Sequence, residues 1–146
     1  METIDAQQSD AGKWFEHADA RIYYEESGDP AGPAILFLPG LTDTIASYDA
    51  LRAQAAELGM RVIAADLPGS GKSLPQPRTY TPTYYDEDAE AFAEMIAAIG
   101  AAPIVVVGCS DGGEVGLVLA AEHPDLVKGL LSWGAVGSIQ DRECKN

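Results

Sequence analysis

The stretch Gly108-Cys109-Ser110-Asp111-Gly112-Gly113 combines residue types that could do chemistry at a spacing that chemistry requires. It follows directly on the apolar run 103–107, so a buried strand is expected to run straight into a glycine-flanked serine. A strand-to-helix turn sharp enough to hold a hydroxyl clear of the backbone forces a strained conformation on the serine, and bulky residues two before or two after it would clash. Gly108 and Gly112 remove those side chains. A serine presented this way attacks carbonyl carbon. The bland alternative is a glycine-rich turn with no chemistry, and the flanking sequence decides between the two.

After the serine, residues 114–124 read as an apolar helix stopped by Pro124, with its N-terminus at Ser110. Unpaired N–H groups and the positive end of the helix dipole would then face an oxyanion formed at a carbonyl attacked by Ser110. Gly112, Gly113 and Gly116 would let that helix lie close against a sheet. A second oxyanion donor is expected from the loop Pro39-Gly40-Leu41-Thr42-Asp43, which follows the apolar run 34–38. The N–H groups of Leu41 and Asp111 together would make a two-donor oxyanion hole. The Asp111 carboxylate, next to the nucleophile, would favour a substrate with an ammonium group such as an amino-acid ester; alternatively it only hydrogen-bonds its own helix turn. Trp133, at the end of the last strand, is the other residue expected to line the substrate.

These residues need a scaffold, and the chain alternates the elements of one. Residues 13–17 and 21–25 read as an antiparallel hairpin at a sheet edge; 34–38, 61–65, 103–107 and 127–133 as further strands. Residues 48–58, with Leu51, Ala55 and Leu58 at helical spacing, and 84–99, acidic at its start and closed by Gly100, read as helices. Near-continuous apolar strands alternating with helices predict an α/β fold, a mostly parallel sheet covered on both faces. The expected core is 11–138, with loose tails at 1–10 and 139–146. Asp66-Leu67-Pro68-Gly69-Ser70-Gly71-Lys72-Ser73 mimics a phosphate loop but has Asp66 where that motif needs its first glycine, and the following Leu74-Pro75-Gln76-Pro77 cannot open a helix. It reads as a tight structural loop.

Composition excludes other classes. A net charge of −14 argues against nucleic acid and anionic membranes, and no run of 18 apolar residues exists. The start of the chain lacks the basic and apolar segments of a secretory signal. Two cysteines, Cys109 and Cys144, make no disulfide framework, so a reducing cytoplasm is expected, with Cys109 buried beside the turn. No metal-ligand spacing and no cofactor motif is present.

The order of the apolar strand with Pro39-Gly40, the 66–73 loop and the Gly108–Gly113 turn resembles the α/β-hydrolase fold family, most of all its biphenyl-hydrolase-like and valacyclovir-hydrolase-like esterases. The resemblance covers roughly 11–138. It implies that Ser110 is the nucleophile of a serine hydrolase, that the backbone at Leu41 and Asp111 forms the oxyanion hole, and that the substrate is a small ester-like molecule. Pro39 departs from the His that the family usually has there. In the family the triad order is Ser, then Asp or Glu, then His. Here the sequence has two histidines, and neither His17 on the hairpin nor His123 fits. His123 lies 13 residues past Ser110, roughly 20 Å away along a helix. Asp141 is a weak candidate for the acid. The chain therefore reads as the N-terminal part of a hydrolase, truncated after the sixth strand, or else as a non-catalytic α/β domain for binding or assembly. Its last strand would have a bare edge able to recruit a second copy.

Overall fold

A computed structural model of the chain describes residues 12–135. Asp141, Cys144, both expected tails and the limits proposed for the core lie outside the described residues. Six strands form one sheet in the order β1-β2-β4-β3-β5-β6. β1 (Lys13–His17) and β2 (Ala20–Gly28) make the antiparallel hairpin, and β2 also pairs antiparallel with β4 (Arg61–Ala65). β3 (Ala34–Leu38) lies parallel between β4 and β5 (Ile104–Cys109), and β6 (Val127–Trp133) lies parallel on β5.

The apolar runs are continuous because both faces of the sheet are covered. Leu36, Leu38, Ile63, Ile104 and Val106 pack under α2 (Tyr84–Ala98) and α3 (Asp111–Glu122), with Phe92, Met95, Val115 and Leu119. The alternate residues Ile35, Phe37, Val62, Ala64 and Val107 meet Ile45, Tyr48 and Ala55 on the other face, below α1 (Asp49–Glu57). Successive strand residues point to opposite faces, so each apolar strand feeds both cores.

Two expectations need correcting. The 48–58 segment is helical, but Leu51 is 47% and Leu58 80% exposed, and Ala55 alone is buried in α1. The chain enters α1 through a 3-10 turn, Ile45–Tyr48. Its tighter winding shifts the phase of the following residues, and Ile45 and Tyr48 take the inward positions instead. Cys109 is half-buried rather than buried.

The 66–73 loop is a hydrogen-bonded knot. The buried Asp66 carboxylate accepts from the N–H groups of Ile45, at 2.9 Å, and Lys72, at 3.0 Å. Ser73 Oγ donates to the Asp66 carbonyl at 2.8 Å and accepts from the Tyr23 N–H at 2.9 Å. The loop's own N–H groups are thus spent inside it, Lys72 on the Asp66 carboxylate, Ser70 on the Leu67 carbonyl and Ser73 on the Ser70 carbonyl, and no helix starts here. Beyond the knot, Arg78 clamps Asp88 of α2 through two bonds of 2.9 and 2.6 Å and donates to the Pro68 carbonyl at 2.9 Å. Asp88 is only 2% exposed. A charge that deep is tolerated because the guanidinium fork pairs both carboxylate oxygens.

Candidate active site

The order of strands changes direction at β3: its successor β4 lies on one side, and β5 on the other. The loops leaving β3 and β5 therefore diverge and open a crevice at their carboxyl ends, the usual place for a site in such a sheet. Ser110 stands there. β5 ends at Cys109 and α3 begins at Asp111, so Ser110 alone makes the joint, at φ 52° and ψ −119°. A non-glycine residue at positive φ costs on the order of 1–3 kcal/mol and persists only where its surroundings impose it.

Those surroundings are visible. A Cβ on Gly108 would strike the Gly112 carbonyl, and one on Gly112 would strike the Leu38 carbonyl. Gly116 passes the sheet so closely that a Cβ would come within 2.9 Å of Leu130 and 3.3 Å of Val106. The Ser110 N–H donates to the Trp133 carbonyl at 2.9 Å, tying the turn to β6. The side chain itself is left exposed.

Gly40 runs alongside, where a Cβ would stand 3.4 Å from that of Ser110. The 40–43 turn closes through the Asp43 N–H to the Gly40 carbonyl at 3.1 Å, with Thr42 at φ 65°. Leu41 sits at its corner, 43% exposed. Among the described residues neither the Leu41 N–H nor the Asp111 N–H has a protein acceptor. The first turn of a helix leaves such donors open.

The Asp111 carboxylate has partners that sequence reasoning missed. Tyr85 Oη donates to Oδ1 at 2.8 Å and Tyr84 Oη to Oδ2 at 3.2 Å, both from the start of α2. Both partners belong to another helix rather than to its own helix turn. Burial first, then hydrogen bonding with Tyr84 and with the Asp111 carboxylate, holds the Tyr85 hydroxyl well above its usual range, so it stays a donor. Burial likewise raises Tyr84. Nothing in the spacing of 84, 85 and 111 announces this contact. Trp133 is 43% exposed and stands edge-on to Tyr48, ring centres 6.2 Å apart. Tyr48 donates to the Leu38 carbonyl at 2.9 Å and tilts against Phe37, so an aromatic wall runs from the crevice into the core.

The histidines stand apart from Ser110. His123 caps the far end of the 12-residue α3, roughly 18 Å along the axis, with Nε2 2.6 Å from Glu90 Oε1. His17 Nδ1 lies 2.6 Å from Glu94 Oε2. Glu90, Glu122 and His123 bring donor atoms within 4.8 Å of one another, a group able to hold a cation that the sequence spacing did not reveal. A cavity of about 730 Å³ lies between the β1–β2 turn, Pro75 and Pro77, and α2; neither Ser110 nor Leu41 nor Asp111 lines it. Its size does not make it the reactive centre, because it holds no activated nucleophile.

Comparisons with known proteins agree with the fold. A family model described as alpha/beta hydrolase fold matches residues 33–142. A serine hydrolase, BPHL, from Homo sapiens is 26% identical over 126 residues, covering 84% of this chain and 42% of that protein. A mouse sn-1-specific diacylglycerol lipase, ABHD11 (Mus musculus), is 31% identical over 121 residues, covering 80% and 38%. The solved 2-hydroxy-6-oxo-6-phenylhexa-2,4-dienoate hydrolase from a Rhodococcus species superimposes with a TM-score of 0.77 at 28% identity, over 90% of this chain and 48% of that one. The chain thus spans about two-fifths of the length of the curated relatives it matches.

Proposed function

This chain belongs to the α/β-hydrolase family, and we propose that it supplies the nucleophile and oxyanion hole of a serine acyl hydrolase. The observation that carries the reading is Ser110, exposed and at positive φ, alone between a buried strand and a helix N-terminus. Ser110 Oγ attacks the carbonyl carbon of a small ester-like substrate, and its proton passes to a general base. The oxyanion is held by the N–H groups of Leu41 and Asp111. Collapse expels the alcohol, and water then releases the acid from the acyl-serine. Neither histidine of the sequence is placed as that base: His17 is held by Glu94 and His123 by Glu90, away from Ser110. A fluorophosphonate offered to the full-length protein is expected to form one covalent adduct, on the peptide containing Ser110, by mass spectrometry. An unlabelled Ser110 sinks the reading.

The Asp111 carboxylate and Trp133 flank the substrate. A carboxylate offers about four lone-pair positions, and the two phenols use one on each oxygen. The remaining ones favour an ammonium group, so amino-acid esters are the preferred substrates. Asp111→Asn is expected to slow a charged ester roughly tenfold more than a neutral one, since a hydrogen bond to a charged group is worth about 1.5–3 kcal/mol. Equal losses on the two esters would remove the recognition role.

A second reading, a domain for binding or assembly, is favoured by one observation: β6 has no outer neighbour among the described residues. No helix among them is long and apolar enough to cross a membrane. With the net charge of −14, that supports action away from anionic surfaces and nucleic acids, and the free Cys109 thiol suits a reducing cytoplasm.

A further inference from the structure

Ser110 is held from β6 through its N–H, and from β3 through the close passage of Gly112 under Leu38. The third side of the turn is held by α2, through the Asp111 carboxylate. Tyr85 and Tyr84 approach opposite oxygens of that carboxylate, at 2.8 and 3.2 Å. They are themselves fixed: their rings tilt against each other at 4.2 Å between centres, and Tyr84 stands edge-on to Tyr80 at 5.0 Å. The Arg78 guanidinium lies 5.0 Å over the Tyr80 ring and 5.5 Å over that of Tyr84, while clamping the buried Asp88 one turn further along α2. A continuous chain of contacts therefore runs from the 66–73 loop through Arg78 and the tyrosines to the residue after the nucleophile.

We infer that Tyr84 and Tyr85 are positioning residues, which lock the first turn of α3 through the Asp111 carboxylate and so aim the Asp111 N–H at the developing oxyanion. This rests on the acyl-hydrolase reading above. Asp111 is the first residue of α3 and its N–H has no protein acceptor among the described residues, so its direction depends on how the side chain is anchored. An oxyanion donor acts by pre-organisation: removing one outright costs about 10²–10³ in rate, and loosening one costs a part of that. The substrate's ground state does not depend on this donor, so the loss falls on kcat and spares KM.

The test is the Tyr84→Phe/Tyr85→Phe double variant of the full-length protein, which keeps both rings and removes only the hydroxyls, assayed on a neutral p-nitrophenyl ester and on a cationic amino-acid ester. Expected are roughly a tenfold lower kcat on both esters and a KM within about twofold of the parent, at a temperature where circular dichroism shows both proteins folded. Tyr85→Phe alone should lose more than Tyr84→Phe, following the shorter bond. Asp111→Asn keeps a carbonyl acceptor for one phenol, so it should retain most of the kcat on the neutral ester, where Asp111→Ala should match the double variant. An unchanged kcat, a loss in KM alone, a loss on the cationic ester alone, or a loss that tracks the unfolded fraction overturns the inference. A parent protein with no turnover that depends on Ser110 removes the acyl-hydrolase reading first, and this inference with it.

Discussion

Ser110→Ala is expected to abolish ester turnover in the full-length protein without unfolding it. Removing the nucleophile of a serine site costs several orders of magnitude, about 10⁶ in kcat where it has been isolated, because the remaining residues act only through it. The fold has little stake in the hydroxyl. Ser110 is exposed, no group among the described residues bonds its Oγ, and what holds it at φ 52° is the backbone: its N–H on the Trp133 carbonyl and the absence of side chains at Gly108 and Gly112. Alanine occupies the same backbone at a similar cost, so stability should shift by no more than about 0.5 kcal/mol. Initial rates on a p-nitrophenyl ester beside a thermal melt read both halves. Turnover at the parent rate in a folded variant would mean that another residue attacks.

Much of the scaffold was legible for a local reason. Strands 34–38 and 61–65 coincide with the observed β3 and β4 because residues buried on both faces leave no polar alternation to misread, and 127–133 coincides with β6 although that strand is buried only in part. Ser110 was legible because the turn that strains it is made by residues two positions away. The inward face of α1 was not. Leucines at 51 and 58 match a helical stripe, but the stripe's phase is set by the 3-10 turn before it, which no spacing within 48–58 contains. The elbow's wider support was illegible too. Asp111 meets Tyr85 across 26 positions, and Ser110 meets the carbonyl of Trp133 only because β6 lies beside β5. Those contacts depend on strand order, which periodicity does not encode. The cation-competent group at Glu90, Glu122 and His123 escaped for the same reason: α2 and α3 bring it together.

The 146-residue chain by itself is expected to be nearly inactive and to associate. A serine hydroxyl without an imidazole in reach is a weak nucleophile, and His123, at the far end of α3, and His17, on the hairpin, are both held by α2 carboxylates. Swinging His123 to Ser110 would require breaking its contact and still not span the length of α3. With the backbone donors proposed at Leu41 and Asp111 alone, the expected residual rate is about 10³–10⁴ over water, far below an intact triad. Association follows from the other side of the sheet. β6 leaves a row of main-chain groups without a partner among the described residues, next to Leu131 at 60%, Trp133 at 43% and Leu117 at 39% exposure. An unpaired edge beside apolar side chains is a template for a second strand, and here a second copy of the same chain offers one. The net charge of −14 opposes the contact, so raising the salt should strengthen it as the repulsion is screened. Light scattering on the purified chain at low and high salt, with an ester assay on the same sample, reads both expectations. A monomer at either salt that turns over substrate at ordinary enzyme rates would show that the base lies within these residues and that the edge needs no partner.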